Sequence, residues 1–195
     1  EDGDDNLIPG DYESFDTRWA AGFKPNTATT IEYLGGYQEQ RNIDYAGRIL
    51  DASFFKTHSH AGEVTWRPRG SMVSEVYAQV YGNLKDHLMN NEEKPTAVDM
   101  PGRIPPFGLR VELPTTSDTI AGRFHVMLDR GAIGWKIGGD VTDLTQRATR
   151  SIFRRSNDFQ VFSDIVWPDA KLTNLGGYSQ ALFAWGAAQL GATVR

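Results

Sequence analysis

Arg123-Phe124-His125-Val126-Met127-Leu128 shows the alternation on which the prediction of the fold class depends. Phe124, Val126 and Leu128 alternate with His125 and Met127, so the apolar side chains share one face of an extended strand and the others share the opposite face. Leu109 to Leu113 shows the same alternation, apolar then charged, and stops at Pro114. Both stretches predict half-buried β-strands.

Further strands are predicted on either side of this centre. β-Branched and aromatic runs that end at Gly or Pro indicate strands at residues 27–34, 48–58, 63–67 and 158–167. Two segments favour helices, Gly82 to Glu93 with Leu84 and Leu88 four residues apart, and Asp143 to Phe153. The prediction is therefore a mainly β fold, a jelly roll or β-sandwich with one or two inserted helices, with an α+β fold as the alternative.

Composition bounds the class of protein. The chain has 195 residues, 39% of them hydrophobic, a net charge of −5 and no cysteine, which is typical of a folded globular protein without disulfides. No apolar run has the length of a membrane helix, so we expect no membrane span. Seven of the first 16 residues are acidic, which predicts an acidic N-terminal arm over 1–18 and a single β-rich domain over 19–195.

Four arginines are concentrated in nine residues: Arg147, Arg150, Arg154 and Arg155. In an acidic chain this group favours a solvated face that pairs with neighbouring carboxylates. The alternative is a site for phosphate or nucleic acid. Nucleic-acid binding is not expected elsewhere in the chain.

Two of the four histidines, His58 and His60, stand two residues apart. In a strand both imidazoles project from one face and could reach one metal ion. A turn at Ala61-Gly62 could bring the Glu63 carboxylate back to them, and His125 could supply a third imidazole. The alternative is an exposed hairpin in which both histidines make ordinary hydrogen bonds.

The arrangement resembles the first metal motif of the cupin family, small jelly-roll barrels with a His-x-His pair, a following Glu and a Gly after six more residues. Here Glu63 and Gly70 have that spacing, and Gly122 with His125 resembles part of the second motif. The resemblance implies an enzyme with one divalent transition metal on His58, His60, Glu63 and His125.

A second resemblance is to the jelly-roll capsid proteins of picorna-like viruses. Three short stretches carry it: Arg69-Gly70-Ser71, Val111-Glu112-Leu113-Pro114 and Asn157 to Phe162. Such proteins are released by polyprotein cleavage, which would account for a chain that begins with Glu1 rather than Met.

We therefore expect a structural subunit that assembles with copies of itself or related chains, as in a virion, without a cofactor and without a catalytic role. The cupin-like metal enzyme is the first alternative, and a ligand-binding β-sandwich is the second. No catalytic residue is assigned, and the cellular compartment stays open.

Overall fold

The computed structural model describes residues 10–45, 47–186 and 188–195. It consists of eight β-strands and one short 3₁₀ helix, Pro95–Ala97, in the loop between the fourth and fifth strands. The strands are β1 (Glu13–Asn26), β2 (Thr29–Ile43), β3 (Asp51–Trp66), β4 (Val73–Asn90), β5 (Leu109–Arg130), β6 (Ile133–Arg154), β7 (Phe159–Trp185) and β8 (Ala188–Val194).

The strands form one antiparallel sheet in which spatial order equals sequence order, from β1 to β8. At one end of the sheet, here called the turn end, the connections β1–β2, β3–β4, β5–β6 and β7–β8 are short. At the other end, here called the loop end, the connections include residues 44–50 and 91–108. The sheet is therefore a continuous meander with one compact end and one elaborated end.

The strands are tilted relative to the level of the short turns. One row of paired residues runs from Phe23 in β1 to Gly177 in β7. Phe23 is three residues from the end of β1 at Asn26, whereas Gly177 is eight residues from the end of β7 at Trp185. The difference of five residues corresponds to about 17 Å along a strand. It accumulates across six strand spacings, which together are about 29 Å wide. If the short turns are placed on one line, the strands are therefore tilted by about 30° from the normal to that line.

The sheet has almost no hydrophobic core. The buried apolar residues of the described chain are one isoleucine and four alanines: Ile43, Ala52, Ala97, Ala121 and Ala148. The accessible surface is 13396 Å², whereas a compact monomer of 21.7 kDa exposes about 9,200 Å². A single layer of strands leaves both faces uncovered, so one face must find its packing partner outside this chain.

The mainly β prediction is confirmed, but the jelly roll, the β-sandwich and the α+β alternative are wrong. A jelly roll or a sandwich needs two packed sheets, and here there is one. The predicted helix Gly82 to Glu93 is mostly β4, and Asp143 to Phe153 lies in β6. Residues four apart share a face in a strand as well as in a helix, so the Leu84 and Leu88 spacing fits both structures.

Residues 1–9 of the predicted acidic arm lie outside the described residues, and Glu13 to Arg18 are part of β1. In the part of the chain that the structure describes, no helix is both long and apolar enough to cross a membrane.

Asn91 anchors the long loop at the loop end. Its side chain is fully buried, and its Nδ2 donates to Thr96 Oγ1 at 2.9 Å and to the Leu109 carbonyl at 3.0 Å. Its Oδ1 accepts from the Val111 backbone N–H at 2.7 Å. One amide therefore ties the start of the 91–108 loop to the start of β5.

We expect Asn91→Ala to loosen this loop, because it leaves the Val111 N–H and the Leu109 carbonyl without their buried partner, at a cost of about 1–3 kcal/mol. Limited proteolysis of the intact protein should show faster cleavage within 91–108. Glu92→Ala, a change at the exposed neighbour, is the control and should leave the cleavage rate unchanged. Equal rates for the two variants would contradict the anchoring role.

Candidate functional site

One face of the sheet, here called the apolar face, is formed by matching alternate positions of all eight strands. The register aligns Phe23 with Ile31, Val64, Ala78 and Phe124 across five strands. Side chains on this face are exposed: Val80 on β4, for example, is 65% exposed and Ile120 on β5 is 68% exposed. The pairing register thus gathers the apolar positions of eight strands into one continuous exposed surface.

A band of this face carries no Asp, Glu, Lys or Arg. It comprises the apolar-face positions of 15–23, 29–37, 58–66, 76–84, 120–128, 133–141, 175–185 and 188–194. Nine residues of strand span about 27 Å along the strand and, at a tilt of about 30°, about 23 Å along the normal to the turn level. We call this surface the charge-free band.

Large aromatic side chains mark the turn-end side of the charge-free band. Phe23, Trp66, Trp135 and Trp185 lie near the short turns on four different strands, and each is between 44% and 89% exposed. On the loop-end side, charged residues begin on the same face at Glu39, Lys56, Asp86, Asp118 and Asp143. Aromatic residues therefore border the band at the turn end, and charged residues border it at the loop end.

The opposite face, here called the polar face, holds a hydrogen-bonded network at the level of the band. Glu63 accepts from Tyr77 Oη at 2.8 Å and from Gln79 Nε2 at 3.3 Å, and Arg123 donates to Tyr77 Oη at 3.3 Å. His125 Nε2 lies 2.8 Å from Glu75 Oε1, and its ring stacks on Tyr77 with centroids 5.0 Å apart. The network crosses three strands and links every ionisable group in it to a partner.

A groove of about 680 Å³ runs along this face from Tyr77 and His125 to Tyr178 and Arg195. The Tyr178 ring lies close against Gly138: a Cβ at that glycine would be only 2.6 Å from the ring. Only a residue without a side chain leaves room for the ring there. Lys136, Asp140 and Thr142 add polar groups to the lining. A charged, solvent-exposed groove on one face and a charge-free band on the other make this sheet strongly two-sided.

The structure divides the predicted metal ligands between the two faces. His58 and His60 lie on the apolar face, as their spacing requires, whereas Glu63 and His125 lie on the polar face. β3 runs without a turn from Asp51 to Trp66, so Ala61-Gly62 does not return Glu63 to the histidines. Within residues 10–45, 47–186 and 188–195, no three His, Asp or Glu side chains are placed to hold one metal ion.

The arginine group lies in β6 and beyond, on the loop-end side of the band. Arg147 pairs with Asp169, and Arg150 donates to both carboxylate oxygens of Asp164 at 2.9 and 2.7 Å. The hydrogen bond to Asp164 raises the pKa of Arg150 above its ordinary value. Arg154 stacks on Phe107, with the guanidinium 4.7 Å from the ring centroid. Arg147 and Arg150 thus pair with neighbouring carboxylates, as expected, whereas Arg154 packs on an aromatic ring.

No protein-family model matches the sequence, and no curated protein matches it. Solved structures do. The copper transporter OprC superposes with a TM-score of 0.80 at 24% identity over 99% of this chain and 29% of that chain. The ferric yersiniabactin uptake receptor FyuA from Yersinia pestis has a TM-score of 0.68 at 11% identity, over 92% of this chain and 27% of that chain.

These likenesses establish the fold: the sheet is similar to a section of a transporter and of an uptake receptor, and it spans less than a third of either. The resemblances to capsid and cupin jelly rolls are therefore wrong. So are the predicted self-assembling subunit and the virion location, because a long one-layer meander shares neither topology nor layering with a jelly roll.

Sequence reasoning missed the charge-free band and the Glu63–Tyr77–Arg123 network. The sequence does carry a signal for the band. In six of the strands, every second residue is uncharged over a stretch of nine residues. The network has no local signal, since its members come from three strands.

We expect Tyr77→Phe to destabilise the polar face by about 1–3 kcal/mol, because it removes the hydroxyl shared by Glu63 and Arg123 while keeping the ring. Denaturant titration of the intact protein measures the change. Tyr81→Phe, on the same strand and face, is the matched control and should cost less. A larger loss for the control would show that the network is not what holds this face.

Proposed function

We propose that this chain is a section of the wall of an outer-membrane-type β-barrel that takes up a solute. The observation that carries the proposal is the charge-free band. Its height of about 23 Å agrees with the apolar band of about 25 Å that surrounds transmembrane barrels, and aromatic residues lie at its limit as in their interfacial girdles. In this placement, lipid acyl chains cover the apolar face, which no other part of the described chain covers.

The remaining features support the same proposal. Membrane barrels have short turns at one end and longer loops at the other, strands tilted by about 35–45° and a polar interior. The sheet has a turn end, a loop end, a tilt of about 30° and a polar face with a charged groove. The free edges of β1 and β8 would be closed by further strands, since an open edge does not persist in lipid.

The expectation of no membrane span counted only continuous apolar runs. A strand crosses a membrane with about 9–11 alternating residues, and such stretches never look apolar as a whole. The similar structures, a copper transporter and a ferric yersiniabactin uptake receptor, support a metal or a metal chelate as the solute.

Arginine substitutions on the two faces of β4 test the membrane placement. Val80 lies in the middle of the band and Gln79 on the polar face beside Glu63. We expect Val80→Arg to cost about 2–4 kcal/mol, because it places a charge at the bilayer midplane, and Gln79→Arg to be tolerated.

The measurement is the fraction of intact protein that is folded in the outer-membrane fraction, with urea titration in vesicles to give the free energy. Equal tolerance of the two substitutions, or greater damage from Gln79→Arg, would contradict the proposed orientation of the faces.

Uptake is tested in cells that express or lack the intact protein. We expect the expressing cells to accumulate more radioactive copper, supplied as the ion, or more radioactive iron, supplied as a siderophore chelate. Unchanged accumulation of both, with the protein folded in the outer membrane, would refute the metal-uptake role and leave the barrel placement intact.

A further inference from the structure

A second hollow lies on the polar face, apart from the groove described above. It is a cleft of about 540 Å³ that extends from β1 to β5, and its volume is within the range of small-molecule sites. Short side chains form its floor: Gly36, Ser59 and Ala61. Its borders carry Asp16 and Arg18 on β1 and Gln79, Tyr81 and Asn83 on β4. We call this hollow the polar-face cleft.

One wall of the cleft consists of an aromatic ring between two amides. Gln79, Tyr81 and Asn83 project from the same face of β4, and each is about 7 Å from the next along the strand. Ala61 lies opposite Tyr81 in register and is too short to cover the ring. The ring of Tyr81 therefore borders the cleft with an amide on either side.

Hydrogen bonds to β3 fix the orientation of both amides. Ser59 Oγ donates to Asn83 Oδ1 at 2.6 Å, which leaves the Asn83 NH₂ group as a donor for a ligand. Gln79 Nε2 donates to Glu63 Oε1 at 3.3 Å, which leaves the Gln79 carbonyl oxygen as an acceptor. The wall thus presents a donor on the loop-end side of the ring and an acceptor on the turn-end side.

Each arginine of the cleft has a carboxylate beside it. Arg18 is two residues from Asp16 on the same face of β1, and Arg123, at the β5 end, lies opposite Asp140 in register. The cleft therefore has no excess of positive charge to attract an anion. A lining that mixes donors with acceptors favours a neutral ligand rich in hydroxyl groups, because each hydroxyl both donates and accepts.

We propose that the polar-face cleft binds a neutral oligosaccharide, with one sugar ring stacked on Tyr81. A pyranose ring has a face of C–H groups, which packs on an aromatic ring, and a rim of hydroxyls, which hydrogen-bond to amides. When it is stacked on Tyr81, its hydroxyls point toward Asn83 on one side and Gln79 on the other. The inference goes beyond the proposed uptake of a metal, and it requires only that the polar face is open to solvent.

Gly36 is the position at which a new side chain would fill the cleft without disturbing the sheet. A Cβ there would have its nearest contacts between 3.6 and 3.9 Å, which is ordinary packing, whereas a Cβ at Gly35 would clash with Trp19. We therefore expect Gly36→Leu to fold and to occupy the floor. Gly62→Leu is the matched control, because Gly62 faces the apolar side and a Cβ there meets nothing within 4 Å.

The test is calorimetric titration of the intact protein with maltotetraose, cellotetraose and tetra-N-acetylchitotetraose, in lauryldimethylamine oxide, a detergent without sugar. We expect the unaltered protein to bind at least one of the three saturably. Gly36→Leu should abolish this binding. Tyr81→Ala should weaken it by about threefold or more, because it removes the stacking surface, and it provides a second reading if Gly36→Leu folds poorly. Gly62→Leu should leave the affinity unchanged.

Four outcomes would overturn the inference. They are the absence of binding of all three sugars, unchanged affinity in a folded Gly36→Leu or Tyr81→Ala variant, an equal loss in the Gly62→Leu control, and displacement of the sugar by citrate. The last outcome would identify an anion site. Failure of metal uptake is seen separately, in the accumulation measured in cells, and does not alter the calorimetric result.

Discussion

The structure depends on the pairing register of its strands. Side chains alternate between faces with a period of two, so a slip of one residue in β1, β2, β5 or β6 would bring charged side chains, such as Glu32 or Arg123, into the charge-free band. The register from β1 to β7 keeps the charge-free positions aligned, for example from Phe23 to Gly177. The backbone pairing, rather than a hydrophobic core, thus determines which side chains share a face of the sheet.

Close packing on each face follows from that register. Trp19 on β1 faces Gly35 on β2, where any Cβ would clash with the indole, and Trp135 Nε1 donates to Ser179 Oγ at 2.7 Å across β6 and β7. On the other face, Glu63 sits opposite Gln79 and beside Tyr77, which satisfies its carboxylate. Each face is therefore adapted to a different surrounding, apolar on one side and polar on the other.

The sequence allowed the strand character to be predicted but not the architecture. The alternation in Arg123 to Leu128 correctly predicts a two-faced strand, and His125 does lie opposite the apolar side chains. Alternation does not say whether the apolar face meets a second sheet or lipid, and that choice produced the jelly-roll prediction. β4 and β6 were predicted as helices because apolar residues four apart, Leu84 and Leu88 in β4 and Leu144, Ala148 and Ile152 in β6, satisfy both helical and strand periods. The metal prediction depended on a turn at Ala61-Gly62, where backbone pairing with β2 and β4 instead continues the strand.

Site-directed spin labelling along β4 can establish whether one face of the sheet meets lipid and the other meets water. Single cysteines at positions 76 to 84 of the intact protein in vesicles would each carry a nitroxide, and collisions with oxygen and with a water-soluble nickel chelate would be compared. The proposed membrane wall predicts high oxygen accessibility at Val76, Ala78, Val80, Gly82 and Leu84, and high nickel accessibility at the residues between them. Nickel accessibility at both sets, or no period of two, would contradict it.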